Sequence, residues 1–497
     1  MSLCRLSIAG AVLLLAGCVA GPDYRKPEVE VPVSWQLEQP WRQAAPSDAE
    51  PKGPWWLRFG DPQLDALQQK ALANSPTLDL ASARLAQARA TLAGSEAGRY
   101  PQVGLGTRAS RFKISANRPL TNYATNNFST VQNDFALTLI ASYELDLAGR
   151  VQRSVEGATA SAAQSAADLE NTRLLLTADL ATAYFSLRAT DLELDVVARS
   201  IEVQRRALQF VTDRHEGGAV SGLDVAQQQA LLDNTLTQVD LLKRLRSQFE
   251  HAIATLTGTP APNFSLAPDI RPLLPPPIPL GVPSDALERR PDVAAAERAM
   301  AAANAQIGVA TAAFYPSVSL LPTGGVDSRS LSTLFDAQSV LWSIGVSATQ
   351  TLFDGGRIRA NVDFTRAGYE ATVASYRRVV LTAMQEAEDG ITGLAALERA
   401  AAQSQTAVAS ARRVLEMSAS RYEGGATTFL DVITAQQALL NIERQSAQLS
   451  GQRMLGSVFL VKALGGDWCG VEPRGGAGNE DARTGCPAPL RQVAGTR

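Results

Sequence analysis

Arg214-His215-Glu216-Gly217-Gly218-Ala219-Val220-Ser221-Gly222-Leu223-Asp224-Val225 returns as Arg421-Tyr422-Glu423-Gly424-Gly425-Ala426-Thr427-Thr428-Phe429-Leu430-Asp431-Val432. Eight of the twelve positions are identical, at a constant offset of 207 residues. Each copy, 214–225 and 421–432, reads as a sharp bend between two long helices. The glycine pair supplies the left-handed backbone that ends a helix. Three residues later Ser221 or Thr428 reads as an N-cap with Asp224 or Asp431 at N3, a capping box that starts the next helix.

The flanks supply the helices. No proline occurs between Pro119 and Pro260, nor between Pro322 and Pro473, as expected where helix and sheet fill the chain. Arg150 to Glu216 would run about 100 Å as one helix at 1.5 Å per residue. The return stretch carries Val225, Leu232, Leu236, Val239, Leu242, Leu245, Phe249, Ile253 and Leu256 at three and four spacing, a seam of coiled-coil type. Helical hairpins are therefore expected over 150–258 and 357–465.

Between the helices lies another texture. Ala-rich helical stretches end at Tyr100-Pro101 and Tyr315-Pro316, an offset of 215, and proline closes each one. Beyond, apolar residues alternate with period two. Phe135, Leu137, Leu139, Ala141, Tyr143 and Leu145 share one face, as do Trp342, Ile344, Val346, Ala348 and Leu352. Ser343, Gly345, Ser347, Thr349 and Thr351 share the other. An apolar outer face, a small or polar inner face and this length describe membrane β-strands, in hairpins over 102–145 and 317–352. Tyr143 and Trp342 suit a membrane interface.

The rest of the 497 residues divides around these two repeats, 61–259 and 292–466. A linker over 260–291 holds ten prolines. At the start, Arg5 precedes an apolar run that ends in Leu15-Ala16-Gly17-Cys18. The run is too short to span a bilayer and has the form of a signal peptide, 1–17. Residues 18–60, with four of the six tryptophans, read as an extended strap laid on the folded body. Asp61 and Pro62 read as N-cap and N1 of the following helix. The tail, 467–497, is Gly-rich and holds Cys469 and Cys486, which in an oxidising compartment form a candidate disulfide. Charge is near balance, 46 basic against 49 acidic residues, so no nucleic-acid partner is expected. The only histidines, His215 and His251, have no metal-ligand spacing. No cofactor, metal or catalytic constellation is expected, and the chain does not read as an enzyme.

Four strands cannot close a barrel, and an open edge in hydrocarbon leaves amides unsatisfied. The chain must then oligomerise, and three copies give twelve strands. Here the residues carry a family resemblance. Leu15-Ala16-Gly17-Cys18 matches a bacterial lipobox. With it go Gly21-Pro22-Asp23-Tyr24, Trp55-Trp56 with Phe59 and Asp61-Pro62, both Tyr-Pro junctions, Phe353-Asp354-Gly355-Gly356-Arg357 and both bends. From Cys18 to about Gly466 the chain resembles the outer membrane efflux proteins, the TolC/OprM-like outer membrane factors, in their NodT-type lipoprotein branch. The resemblance implies a mixed α/β membrane protein of two tandem repeats. It implies a homotrimer in which a 12-stranded β-barrel crosses the outer membrane and an α-helical barrel extends into the periplasm. The implied partners are outer-membrane lipid, a periplasmic adaptor and an inner-membrane pump of RND type. The implied function is the exit duct of a tripartite efflux system that exports small molecules. Cys18 would be lipidated, with Val19 after it favouring the outer membrane.

At the bends, Asp224 and Asp431 have a capping role and a second one, as carboxylates ringing a closed periplasmic entrance. Asp431 is the stronger gate candidate, because the second hairpin resembles the pore-lining one of the family. Thr434 stands where well-known members carry a second acid. Arg214, Gly217, Gly218, Arg421, Gly424 and Gly425 are candidates for the turn itself and for adaptor docking. Arg150 and Arg357 start the long helices and suit junction packing. The competing reading is a lipid-anchored periplasmic coiled-coil scaffold without a pore, for which strands with apolar outer faces would have no use.

Overall fold

A computed structural model describes residues 19–26, 53–113, 115, 131–276 and 290–466. Cys18, Cys469 and Cys486 lie outside the described residues, as do the signal stretch, most of the strap, residues 277–289 of the central linker and the tail. Two helices, α1 (Pro62–Asn74) and α2 (Pro76–Ala97), precede strands β1 (Gln102–Lys113) and β2 (Val131–Leu145). The first hairpin is α3 (Arg150–Glu216) and α4 (Gly222–Leu256). The second half repeats this with α5 (Pro291–Ala312), β3 (Ser317–Ser328), β4 (Val340–Thr349), α6 (Arg357–Glu423) and α7 (Phe429–Ala463). Helices α3 and α6 are each 67 residues long, and α4 and α7 are each 35. No helix among the described residues is long and apolar enough to cross a membrane.

The chain falls into two compact units that cut across the repeats, each drawing on both halves. The first unit, 1–28, 84–165 and 296–376, contains the sheet. Its four strands run antiparallel in the order β1-β2-β3-β4, so β1 and β4 are edges. The register is constant, with a gap in the β2–β3 pairing at Ala141 and Ser142, level with Pro322 and Leu321, and it largely sorts side chains by chemistry. Val103 and Leu105, then Phe135 to Leu145 at odd positions, Val318, Leu320 and Val326, and finally Trp342, Ile344, Val346 and Ala348 share one face. The opposite face carries Thr138, Ser142, Ser319, Thr323, Ser343, Ser347 and Thr349. It also carries Arg108, which pairs with Asp134 at 2.7 Å and approaches Asp327 at 3.8 Å. Leu352, expected on the apolar face, lies past the end of β4. The last cross-strand partner is Ser317 opposite Thr349, because Pro316 precedes β3 and has no amide hydrogen to continue the ladder.

The same unit holds the strap's first residues against the helices. Ala20 donates its N–H to the Ala148 carbonyl at 3.0 Å. Buried Arg153 donates to the Ala20 carbonyl at 3.2 Å and pairs with Asp23 at 2.9 Å. Asn304 donates to the Pro22 carbonyl at 3.0 Å, and Lys26 pairs with Glu297 at 3.2 Å. Gly21, at φ 92°, passes so close to Gly308 that a Cβ on Gly21 would meet the Gly308 Cα at 2.5 Å.

In the second unit, Trp55 and Trp56 sit in a short 3₁₀ turn and are buried with Tyr184, Phe185, Leu64, Ile253 and Met454. Trp55 Nε1 donates to Thr177 Oγ1 at 3.2 Å, which satisfies the indole in the core. Asp61 caps α1, accepting from the N–H of Gln63 and of Leu64, with Pro62 at N1. Its second oxygen accepts from the Tyr184 hydroxyl at 2.5 Å. A buried ion cluster then fixes the start of the linker. Arg188 and Arg246 both pair with Asp191, at 3.3 and 2.6 Å. They also donate to the Ala267 and Leu266 carbonyls at 3.1 and 2.7 Å. Charges this deep are tolerated because each is paired and hydrogen-bonded.

Candidate functional site

Both bends are built the same way. The N–H of Ala219 bonds the Arg214 carbonyl at 2.8 Å, and that of Gly218 bonds the His215 carbonyl at 2.9 Å. In the second bend Ala426 bonds Arg421 at 2.8 Å and Gly425 bonds Tyr422 at 3.0 Å. These are Schellman closures, with Gly218 at φ 72° and Gly425 at φ 73° in the left-handed position. Nothing lies within 4 Å of a Cβ built on either glycine, so they are required for backbone conformation and leave an open, small surface. Gly217 and Gly424 precede them and are exposed.

The restart of each helix departs from the sequence reading. Ser221 Oγ accepts from Leu223 N–H at 3.0 Å, while Thr428 makes no side-chain cap bond. Neither aspartate reaches back as a capping-box acid would. Aspartate is one methylene shorter than the glutamate that usually fills this role. The Asp431 carboxylate is held instead by the Thr427 hydroxyl and, at 3.5 Å, by that of Thr428. Thr434 Oγ1 donates to the Leu430 and Asp431 carbonyls, each at 3.0 Å. Asp431 is exposed and Asp224 half-buried.

The two bends of one chain pack together. Val211 and Leu231 from the first hairpin are buried with Tyr422, Phe429, Val432 and Ile433 from the second. Arg214 lies over two rings, 5.6 Å from the Phe210 centroid and 5.3 Å from that of Tyr422. This covers its charge with aromatic faces rather than with a carboxylate. Tyr422 packs against Phe429 at 5.0 Å with the rings tilted by 52°, and its hydroxyl is buried with no hydrogen-bond partner among the described residues. Burial pushes its phenol up, and the Asp224 carboxylate adds to the shift against the opposing charge of Arg214. Arg421, by contrast, is exposed.

Behind this apolar cluster lies a polar layer that the sequence reading did not pick out. Gln204, Gln228 and Gln436 are buried, and Gln228 donates to the Gln204 carbonyl at 3.2 Å and to Gln436 Oε1 at 3.4 Å. Further along, Arg444 of α7 pairs with Glu193 of α3 at 2.6 Å and donates to Gln238 of α4 at 2.9 Å. Buried polar contacts of this kind fix helix register. At the other end of the long helices, Arg150 forms a two-pronged bond to Glu144 at 2.8 and 2.6 Å, which ties the end of β2 to the start of α3.

The comparisons agree with this architecture. The family described as outer membrane efflux protein matches residues 67–259 and 282–466. The chain is 32% identical over 471 residues to the pyoverdine export outer membrane protein OpmQ of Pseudomonas aeruginosa, covering 94% of this chain and 98% of that one. It is 31% identical over 474 residues to the toluene efflux pump outer membrane protein TtgF of Pseudomonas putida, covering 93% and 96%. Among solved structures, the outer-membrane channel OprN superposes with a TM-score of 0.81 at 30% identity, covering 91% of this chain and all of that one. With its sorted four-stranded sheet and paired helical hairpins, the chain belongs to the outer membrane efflux protein family and is an outer-membrane channel of an efflux system.

Proposed function

We propose that three copies close their sheets edge to edge into a passive duct, gated where the helical hairpins end. One observation carries this reading: a four-stranded sheet with two open edges, apolar on one face and polar on the other. Such a sheet has no stable place in a bilayer until β1 and β4 are paired, and twelve strands lie within the range of bacterial barrels. The alternative scaffold has no use for that apolar face.

The finer assignments are ours as well. Asp431 lines the narrow end, held by Thr427 and Thr428 with its carboxylate exposed. Three copies around one axis repel one another and attract cations. Asp224, half-buried beside Tyr422, contributes less. The small exposed surface at Gly217, Gly218, Gly424 and Gly425, with Arg421 beside it, receives a periplasmic adaptor, and Arg214 supports it from beneath. The adaptor joins the duct to an inner-membrane pump, of RND type, which selects the small-molecule cargo. Cys18 carries the lipid anchor, and Val19 and Ala20, which follow it, dock beside Gly149 and Ala148 after the end of β2. The 18–60 strap, the 260–291 linker and a Cys469–Cys486 disulfide in the tail complete the reading.

Single-channel recording of the purified trimer in planar bilayers tests the gate. Asp431→Ala should raise conductance and weaken cation block from the helical side, with Asp224→Ala doing less. Unchanged conductance and block in an intact Asp431 variant would remove this residue from the gate.

A further inference from the structure

The sheet sorts its charges more strictly than its apolar groups, four of which (Phe112, Ile140, Leu321 and Leu341) lie on the polar face, and two cations depart from that sorting. Asp134, Glu144, Asp327 and Arg108 all point to the polar face. Arg111 and Lys113 point to the apolar face, opposite Asn133 and Val131. No carboxylate shares that face, and neither cation has an ion pair among the described residues. Both are exposed.

Their position along the strands is specific. On β2 the apolar belt runs from Phe135 to Leu145, ten residue steps. That is about 33 Å at 3.3 Å per residue and about 25 Å along the membrane normal at the usual strand tilt. This matches the height of a barrel's apolar band. Phe135 pairs with Ala109, so Arg111 is the next residue on this face beyond the belt and Lys113 the one after. Leu145, at the opposite end, leads into α3. With the helices on the periplasmic side, the two cations lie at the headgroup level of the outer leaflet. An isolated cation within hydrocarbon would be costly, while one just beyond it meets headgroups.

We propose that Arg111 and Lys113 form a rim site for the phosphates of the outer-leaflet glycolipid, lipid A. The acyl chains would lie on the belt below, along Val103, Leu105, Phe135 and Leu137. Arg111 supplies a fork for two phosphate oxygens and Lys113 a point charge. The absence of any acid on this face removes competition for either cation. The site rests on the orientation given above and adds a lipid partner to it.

The test uses full-length trimer in phosphatidylcholine nanodiscs with and without diphosphoryl lipid A, and measures bound lipid A by native mass spectrometry. Arg111→Gln/Lys113→Gln should lower lipid A affinity by roughly tenfold or more, at about fivefold for each membrane-surface cation lost. The charge-conserving exchange Arg111→Lys/Lys113→Arg should retain most of it, and Arg89→Gln on α2 all of it. Monophosphoryl lipid A should bind the wild-type trimer more weakly. Equal binding by the double Gln variant, or by the two lipid A forms, would overturn the proposal. Normal single-channel conductance of the same double variant separates that outcome from a failure of the channel reading.

Discussion

The guanidinium carbon of Arg214, at the end of α3, lies 5.3 Å from the ring centroid of Tyr422, at the end of α6. The first bend is thus held to the second by a covered charge, and the Tyr422 ring is the shared element. Tyr422→Ala should cost about 3 kcal/mol, as for other buried aromatics, and expose both bends to protease. Tyr422→Phe removes only an unpartnered hydroxyl and should be neutral or slightly stabilising. A melting temperature that falls as far for Phe as for Ala would show that the hydroxyl has a partner.

Glu193 and Arg444 make the next prediction. The Glu193 side chain is 8% exposed and that of Arg444 is 26% exposed. Arg444→Ala leaves a nearly buried carboxylate without its cation and should cost on the order of 2–3 kcal/mol. Glu193→Gln with Arg444→Met removes both charges and should cost less than the single Ala change. Denaturant midpoints of the three variants decide the order, and a double variant worse than Arg444→Ala contradicts it.

Acid should act on the start of α6. The Asp354 carboxylate accepts from the N–H of Ile358 at 2.8 Å and of Gly356 at 2.9 Å. These bonds, that from Ile358 foremost, hold its carboxyl below the ordinary carboxylate value. On acidification the unfolded chain therefore takes up a proton first. The contribution of Asp354 is complete above the ordinary carboxylate value and is lost as pH falls through the folded one. Asp354→Asn should lower the thermal midpoint at neutral pH, and the difference from wild type should vanish in strong acid. A pH-independent difference would assign the effect to something other than this carboxylate.

For the proposed anchor, intact-mass analysis of the membrane-extracted protein should find an N-terminal cysteine carrying acyl mass at Cys18. Cys18→Ser should abolish that mass and stall processing of the signal. An unmodified N-terminus at another residue in the wild type rules out the lipobox.

What could be read without coordinates was local. Period two along β4 identified the face of Trp342, Ile344, Val346 and Ala348, because strand faces follow from adjacent residues alone. It could not say that Leu352 lies beyond the ladder, which depends on where β3 begins. The Schellman closures are also local, so two glycines located them. Asp224 and Asp431 at N3 suggested a capping box, but side-chain length decides whether an acid returns to its cap. The clamp of Arg188, Arg246 and Asp191 on the linker joins residues as far apart as Asp191 and Asp269, 78 positions. A single sequence has no signal for such a pairing. The starts of α3 and α6 are capped by Asp146 and Asp354, which are one position out of register in the repeat, so aligning the halves would have hidden their common role.

The equal lengths of α3 and α6, and of α4 and α7, act as a ruler. One residue inserted into any of them would advance every later side chain by about 1.5 Å and turn it by about 100°. An insertion within α3 or α6 would turn Arg214 and Tyr422 out of register with each other, and one early in α7 would turn Arg444 away from Glu193. The eight-residue difference between the two repeats accordingly falls within the β-hairpins and their loops, where the offset drops from 215 to 207. Strand-to-strand loops can gain or lose residues without disturbing the helices, but a change of length in one helix forces a compensating change in its counterpart. The difference in length between the two repeats is therefore carried by strand-to-strand loops, where it leaves the helix registers intact.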